Sequence, residues 1–161
     1  MITTFDLMAG HPFLADLPTP WLRTLSFQAK RAVYQPGYRI FHEGRAATRF
    51  WLIREGRIAL DIAAPGGGDV VIDELTGGTV LGWSWFAPPY RWHFGAVAVE
   101  RTLAVEFDGP GVLRLCDEDP ALGYALSRRF MTVLIDRLQA TRVRLLDVDC
   151  PPLELAPPTG G

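Results

Sequence analysis

From Lys30 to Asp108 apolar residues recur in short runs, each closed by a glycine or a polar turn. RAVYQ, YRIFHEG, RFWLIREG, RIALDIAA, DVVIDEL, AVAVE and LAVEFD are each of strand length and rich in Val, Ile, Tyr and Phe. The punctuation between them is PG, EG, REG and PGGGD, the chemistry of tight turns. In RIALDIAA, Ile58, Leu60 and Ile62 alternate with Arg57, Ala59 and Asp61, the period of an antiparallel strand with one wet face. Many short strands joined in this way predict a small closed roll over about residues 29–108.

The flanks read as helix. Two short helices are expected before the roll. In LPTPWLRTLSFQ, Thr19 reads as the cap and Pro20 as the first helical residue, and Trp21, Leu22 and Leu25 share a face. After Asp108, GPGVLRLCDED predicts a short helix. A long one follows over about residues 119–148, with Asp119 as cap and Pro120 in the first position. Leu122, Leu126, Phe130 and Val133 form a stripe confined to its first half, suited to packing on the roll. A second stripe, Met131, Leu134, Leu138, Thr141, Leu145 and Val148, keeps a three-four alternation to the end. Nothing later in the chain can cover it, so this heptad-like seam is expected to bury itself against a second copy.

The fold class predicted is α+β. It comprises an antiparallel β-roll (a double-stranded β-helix, jelly-roll-like), short N-terminal helices and a long C-terminal dimerisation helix, as one domain over residues 1–148. Residues 149–161 are Pro- and Gly-rich and are expected to be disordered.

Composition removes several functions. The chain has 161 residues, 48% hydrophobic and 21% charged, with a formal net charge of −2. Lys30 is the only lysine and the arginines are spread along the chain, so no segment resembles a DNA-reading helix. Cys116 and Cys150 lie far apart without metal-ligand spacing and read as reduced thiols of a cytoplasmic protein. MITTFDLMAG lacks the pattern of a signal peptide, and no window has the apolar length of a membrane span. His11, His42 and His93 are the only histidines, on separate elements, where a cupin-like metal enzyme needs a converging set. His11 is expected to be exposed at a helix start and His42, beside Glu43, to lie in a turn. GGGD at Gly66–Asp69 lacks the lysine of a phosphate loop. The chain is therefore not expected to be an enzyme, nor to carry a metal or cofactor.

The order of helices, roll and long terminal helix, together with its glycines, resembles the cyclic nucleotide-binding domain superfamily, and within it the effector domain of Crp/Fnr-type regulators. The likeness runs from about His11 to Leu146. HPFLADLP is similar to the family's opening helix, and YQPGYRIFHEGRAATRFWLIREGRIAL to its pattern of apolar strands separated by glycine corners. Gly37, Gly44 and Gly56 fall where that pattern needs positive φ. The resemblance implies a ligand cassette between two late strands. A Phe-Gly-Glu motif opens it, the glutamate accepts the ribose hydroxyl, and an arginine about ten residues on pairs with the cyclic phosphate.

The corresponding stretch here is LGWSWFAPPYRWHFG. Gly82 matches, but Trp83 holds the glutamate position, and an indole N–H donates without accepting. Counting back from AVAVERTLAVEFD places Trp92 at the arginine position and Arg91 one step away, with His93 and Phe94 in place of small residues. Losing the charged hydrogen bonds to sugar and phosphate costs roughly 1.5–3 kcal/mol each. The cassette is thus read as an aromatic element whose candidate residues are Gly82, Trp83, Ser84, Trp85, Arg91, Trp92 and His93. It could be a plug of Trp83, Trp85, Phe86 and Trp92 in an empty roll, the protein then acting through its surfaces. It could be a pocket for a small anionic aromatic ligand, with Arg91 turned inward. Weak cyclic nucleotide binding through Arg91 is the third reading. Haem, which needs one protein ligand and serves some Crp/Fnr relatives, is a further alternative. The helix-turn-helix of those regulators is not expected after the long helix, where CPPLELAPPTGG is short and proline-rich, so the expected role is a stand-alone regulatory domain, sensor or interaction module. Its partners would be a second copy and, beyond that, a ligand or another protein.

Overall fold

The structure, a computed structural model, describes residues 1–147. The expected tail and the helix end at Val148 lie outside the described residues, as does Cys150. Eight strands pair antiparallel in two four-stranded sheets. They are β1 (Ala29–Tyr34), β2 (Arg39–Phe41), β3 (Arg49–Glu55), β4 (Arg57–Ala63), β5 (Asp69–Thr76), β6 (Val80–Leu81), β7 (Gly95–Ala98) and β8 (Thr102–Asp108). One sheet has the order β1-β8-β3-β6, the other β2-β7-β4-β5. The antiparallel roll with a long terminal helix is thus the observed architecture. Seven of the strands overlap the sequence runs above. β6 is two residues long, too short to carry a period.

Glycine makes the corners. Gly37, Gly44 and Gly56 have φ of 89°, 81° and 101°, in the left-handed region where a side chain is strained. At Gly56 a Cβ would also lie 2.5 Å from the Arg101 carbonyl oxygen, so the corner between β3 and β4 admits no other residue without backbone movement.

The alternation in β4 holds only in part. Ile58 and Leu60 are buried, but Ile62 is exposed and Asp61 buried. The ladder to β5 skips Ile72 between the Leu60–Asp73 and Asp61–Val71 pairs, while the pairing of β4 with β7 runs unbroken and ends at Asp61. Asp61 then faces Arg39, which donates to both its oxygens at 2.7 Å. A bidentate pair of this kind satisfies a buried carboxylate.

Both faces of the β1-β8-β3-β6 sheet are covered. On β3, Phe50 points away from the second sheet, stacking on Phe107 (ring centroids 4.6 Å apart). Trp51, the next residue, points between the sheets and stacks on Phe41 of β2 at 5.5 Å. Beneath Trp51 lies Glu106, a buried acid. Burial pushes its carboxyl pKa up; bonds from Lys30 (2.9 Å) and Trp51 Nε1 (3.2 Å) and the charge of Arg49 hold it below the usual value.

Helices close the roll at both ends of the chain. The first of the two short helices, α1 (Thr4–Ala9), lies ahead of HPFLADLP and is capped by Thr3, whose Oγ accepts from Asp6 N–H while Asp6 accepts from Thr3 N–H. The α2 helix (Thr19–Ser26) begins one residue earlier than expected. Pro18 stands at its cap and no side chain bonds there, so Thr19 is helical and does not cap. The α3 helix spans Gly109–Glu118 and α4 spans Pro120–Asp147. Asp119 caps α4 as expected, accepting from Leu122 N–H, and its other oxygen accepts from Trp21 Nε1 at 2.9 Å. Burial of the Cys116 thiol pushes its pKa up to about 11, which suits an inert packing residue.

His11 differs most from expectation. It is 4% exposed. Its Nδ1 accepts from Phe13 N–H at 3.1 Å and Nε2 lies 2.9 Å from the Ile53 carbonyl oxygen, so the neutral ring with a proton on Nε2 satisfies both contacts. Its side chain caps a short 3-10 turn, Pro12–Leu14, and ties it to β3. Burial lowers the imidazole pKa below its ordinary 6.5. A proton therefore binds the unfolded chain more readily, and stability is full above pH 6.5 and declines as pH falls below it. Denaturant midpoints measured from pH 7.5 to 5.5 should show this decline, and His11→Asn should flatten it at a constant loss of about 1 kcal/mol.

Candidate functional site

The segment from Leu81 to Phe94 leaves β6, turns at Ala87–Tyr90 and returns to β7. Arg91 forms an isolated bridge with Ala46, and Trp92 exchanges backbone bonds with its neighbours there, donating to Arg45 and accepting from Gly44. That extended geometry sends successive side chains to opposite sides. Arg91 and His93 are exposed; Trp92 and Phe94 are buried.

Trp92 enters the space between the sheets. Its ring lies on Phe41 with centroids 3.8 Å apart and planes 12° from parallel, and 6.0 Å from Trp51. Only 4% of it is exposed. Gly82 makes this possible: a Cβ there, at φ 95°, would lie 2.9 Å from the indole Cη2. Phe94 completes the filling, 5.9 Å from Phe41. At the mouth a cavity of about 350 Å³ is lined by Phe41, Trp51 and Trp92 together with Arg45, Thr48 and Arg49.

The remaining cassette residues part company. Trp85 packs on the outside of the roll, stacked on Phe50 at 4.5 Å and edge-on to Phe130 of α4, with its N–H donating to the Gly82 carbonyl. Phe86 lies on Phe130 at 5.5 Å. Ser84 Oγ and His93 Nδ1 are 3.2 Å apart. Arg91 does not turn inward. Its Nη1 donates to the Gly44 carbonyl at 3.0 Å, on the surface. Neither Asp73 nor Glu74 is its partner.

Trp83 does not fill the roll either. It stands at the lip, edge-on to Phe94 at 5.0 Å, and the guanidinium of Arg137 lies over its ring at 5.6 Å. Sequence reading missed Arg137. Its Nη1 donates to Asp73 Oδ2 of β5 at 2.9 Å, and Arg144, two helical turns on, donates to Asp73 Oδ1 at 2.6 Å and to the Ile72 carbonyl. Burial lowers the Arg137 pKa, and the charge of Asp73 opposes it. One guanidinium thus joins the cassette, the β4–β5 hairpin and α4. The available signal was spacing: Arg137 and Arg144 lie seven apart on one helical face.

The sequence matches the profile of the cyclic nucleotide-binding domain over residues 31–119. The chain belongs to the cyclic nucleotide-binding domain family. Solved structures share the fold. A cyclic nucleotide-binding domain from Methylobacillus flagellatus is 17% identical, with 93% of this chain and 84% of that one covered at a TM-score of 0.76. The sensor domain of the transcriptional regulator DNR from Pseudomonas aeruginosa is 19% identical, with coverage of 83% and 90% and a TM-score of 0.66. The Thermus thermophilus catabolite activator protein is 22% identical at a TM-score of 0.66; 83% of this chain is covered, against 61% of that protein. No curated protein matches the sequence. Among the described residues no group of three or more His, Cys, Asp or Glu could hold a metal ion, and no helix is long and apolar enough to cross a membrane.

The side chains of Arg137 and Asp73 are 16% and 23% exposed, that of Arg144 52%. The deeper pair should carry most of the clamp. Asp73→Ala is expected to destabilise the domain by about 1–3 kcal/mol and Arg144→Ala by less than about 1 kcal/mol, both read from urea denaturation.

Proposed function

We propose that this cyclic nucleotide-binding domain is a regulatory module that does not hold a cyclic nucleotide in the family's usual way. The observation that carries the reading is Trp92. By register it stands where the resemblance puts the phosphate arginine, and it lies buried on Phe41. Arg91, the nearest replacement, is bonded to Gly44 at the surface. At the ribose-carboxylate position Trp83 offers a ring face, already covered by the cation of Arg137. These placements support the plug over the inward-arginine pocket, with Trp92 and Phe94 as its body and Trp83 as its lid. Regulation through surfaces is the role that fits these placements. Calorimetry with cyclic AMP and cyclic GMP should give no dissociation constant below about 10 μM; a tighter value would refute the reading.

The surface concerned is α4 with the β4–β5 hairpin. Met131, Leu134, Leu138 and Leu145 are exposed on the helix, and Val70, Val71 and Ile72 on β5, the edge strand of its sheet. The contacts of Arg137 and Arg144 hold the two elements side by side. An apolar face of this kind suits burial against a second copy, Thr141 included in the seam. Light scattering at micromolar concentration should give twice the mass of one chain. Replacing Leu138 and Leu145 together by glutamate should give a folded monomer, and a single-chain mass for the unaltered protein would sink the dimer.

A further inference from the structure

A second concavity lies away from the roll interior, between the 3-10 turn, the start of β6 and α4. It encloses about 400 Å³. Pro12, Phe13, Val80 and Val133 give it apolar walls, and Arg129, Arg137 and Asp136 bring charge. Arg129 is partly buried, and its one bond is from Nη1 to the Phe13 carbonyl at 3.0 Å. No carboxylate pairs with it among the described residues, whereas Arg137 is held by Asp73. Asp136 is exposed at the rim and the charge of Arg137 is met by Asp73, so among the described residues Arg129 is the groove's cation without a paired carboxylate. The two threonines of the lining, Thr79 and Thr132, already donate to backbone carbonyls and can only accept further.

We infer that this groove binds a small organic monocarboxylate with an apolar body, the size of an aryl or medium-chain acid. A guanidinium with free N–H groups above an apolar wall selects an anion with a hydrophobic tail. A phosphate or sulfate would leave the walls uncovered, and a neutral hydrocarbon would leave Arg129 without its partner. Helical geometry keeps the groove open in a dimer. At about 100° per residue, Arg129, Thr132, Val133 and Asp136 lie roughly opposite Met131, Leu134, Leu138 and Leu145 on α4. The ligand would bridge the N-terminal turn to α4, so its binding would stiffen the junction of the helix with the roll.

Calorimetry with benzoate, phenylacetate and octanoate tests this, with the corresponding primary amides as uncharged controls. At least one acid should bind, and its amide should bind about tenfold or more weakly. Arg129→Gln should weaken the acid by a similar factor and leave the amide unaffected. Val133→Trp, which fills the groove and leaves Arg129 in place, should abolish binding of both and covers the case in which Arg129→Gln fails to fold. Arg91→Ala should change nothing, separating this site from the cassette. Absence of binding by all three acids, or equal binding of acid and amide, overturns the inference. So does binding that survives Val133→Trp.

Discussion

The indole of Trp92 lying flat on Phe41 governs the arrangement around it. Once that ring is inside, the two-residue pleat of the returning strand puts Arg91 and His93 outside and Phe94 beside it. The same ring requires Gly82 at its edge. Exchanging the indole for an inward guanidinium would forfeit the burial of a large ring and a stacking term of about 0.5–1.5 kcal/mol. It would also bring a charge into a core whose buried acids, Glu106 and Asp61, are already engaged, the first by Lys30 and Arg49 and the second by Arg39. The aromatic arrangement is the cheaper one by a wide margin, because an unpaired buried charge is among the costliest features a core can carry.

The α4 helix shows how one element can serve several surfaces. Leu122, Leu126 and Phe130 are buried against the roll and cassette. Beyond them the helix has less to pack on, and polar contacts take over: Arg137 on Trp83 and Asp73, then Arg144 on Asp73 and the Ile72 carbonyl. Asp73 is therefore the point at which the hairpin follows the helix. A hydrophobic contact would tolerate sliding along the seam. Two guanidinium bonds to one carboxylate fix both the rotation and the height of the helix.

Much of the fold was legible because its signals are local. Gly37, Gly44 and Gly56 announced left-handed corners, and the β-rich runs between them could do little else. Asp119 before Pro120 marked the start of α4. What was not legible depended on distance in sequence. His11 looked like an exposed helix start until Ile53, forty-two positions away, supplied a carbonyl. Ile62 kept the strand's period in sequence, but the pairing with β7 ends one residue before it, and Ile62 is exposed. In the cassette, the replacement of the two ligand-binding side chains could be read from position alone, while the direction of Arg91 could not. The alternation of Arg91, Trp92, His93 and Phe94 did carry that information, since it is the period of a half-buried strand.

The carboxylate of Asp119 holds both Trp21 of α2 and the first turn of α4. It is a pivot as well as a cap. The helix that starts there runs for 28 residues, a rigid rod of about 42 Å at the usual rise. A tilt of about 5° at the pivot would carry the far end through roughly 3–4 Å. Small displacements of the short helices beneath Trp21 are thus geared up along the rod. Movement hardly measurable at the roll becomes, at Leu145, a shift comparable to the width of a side chain.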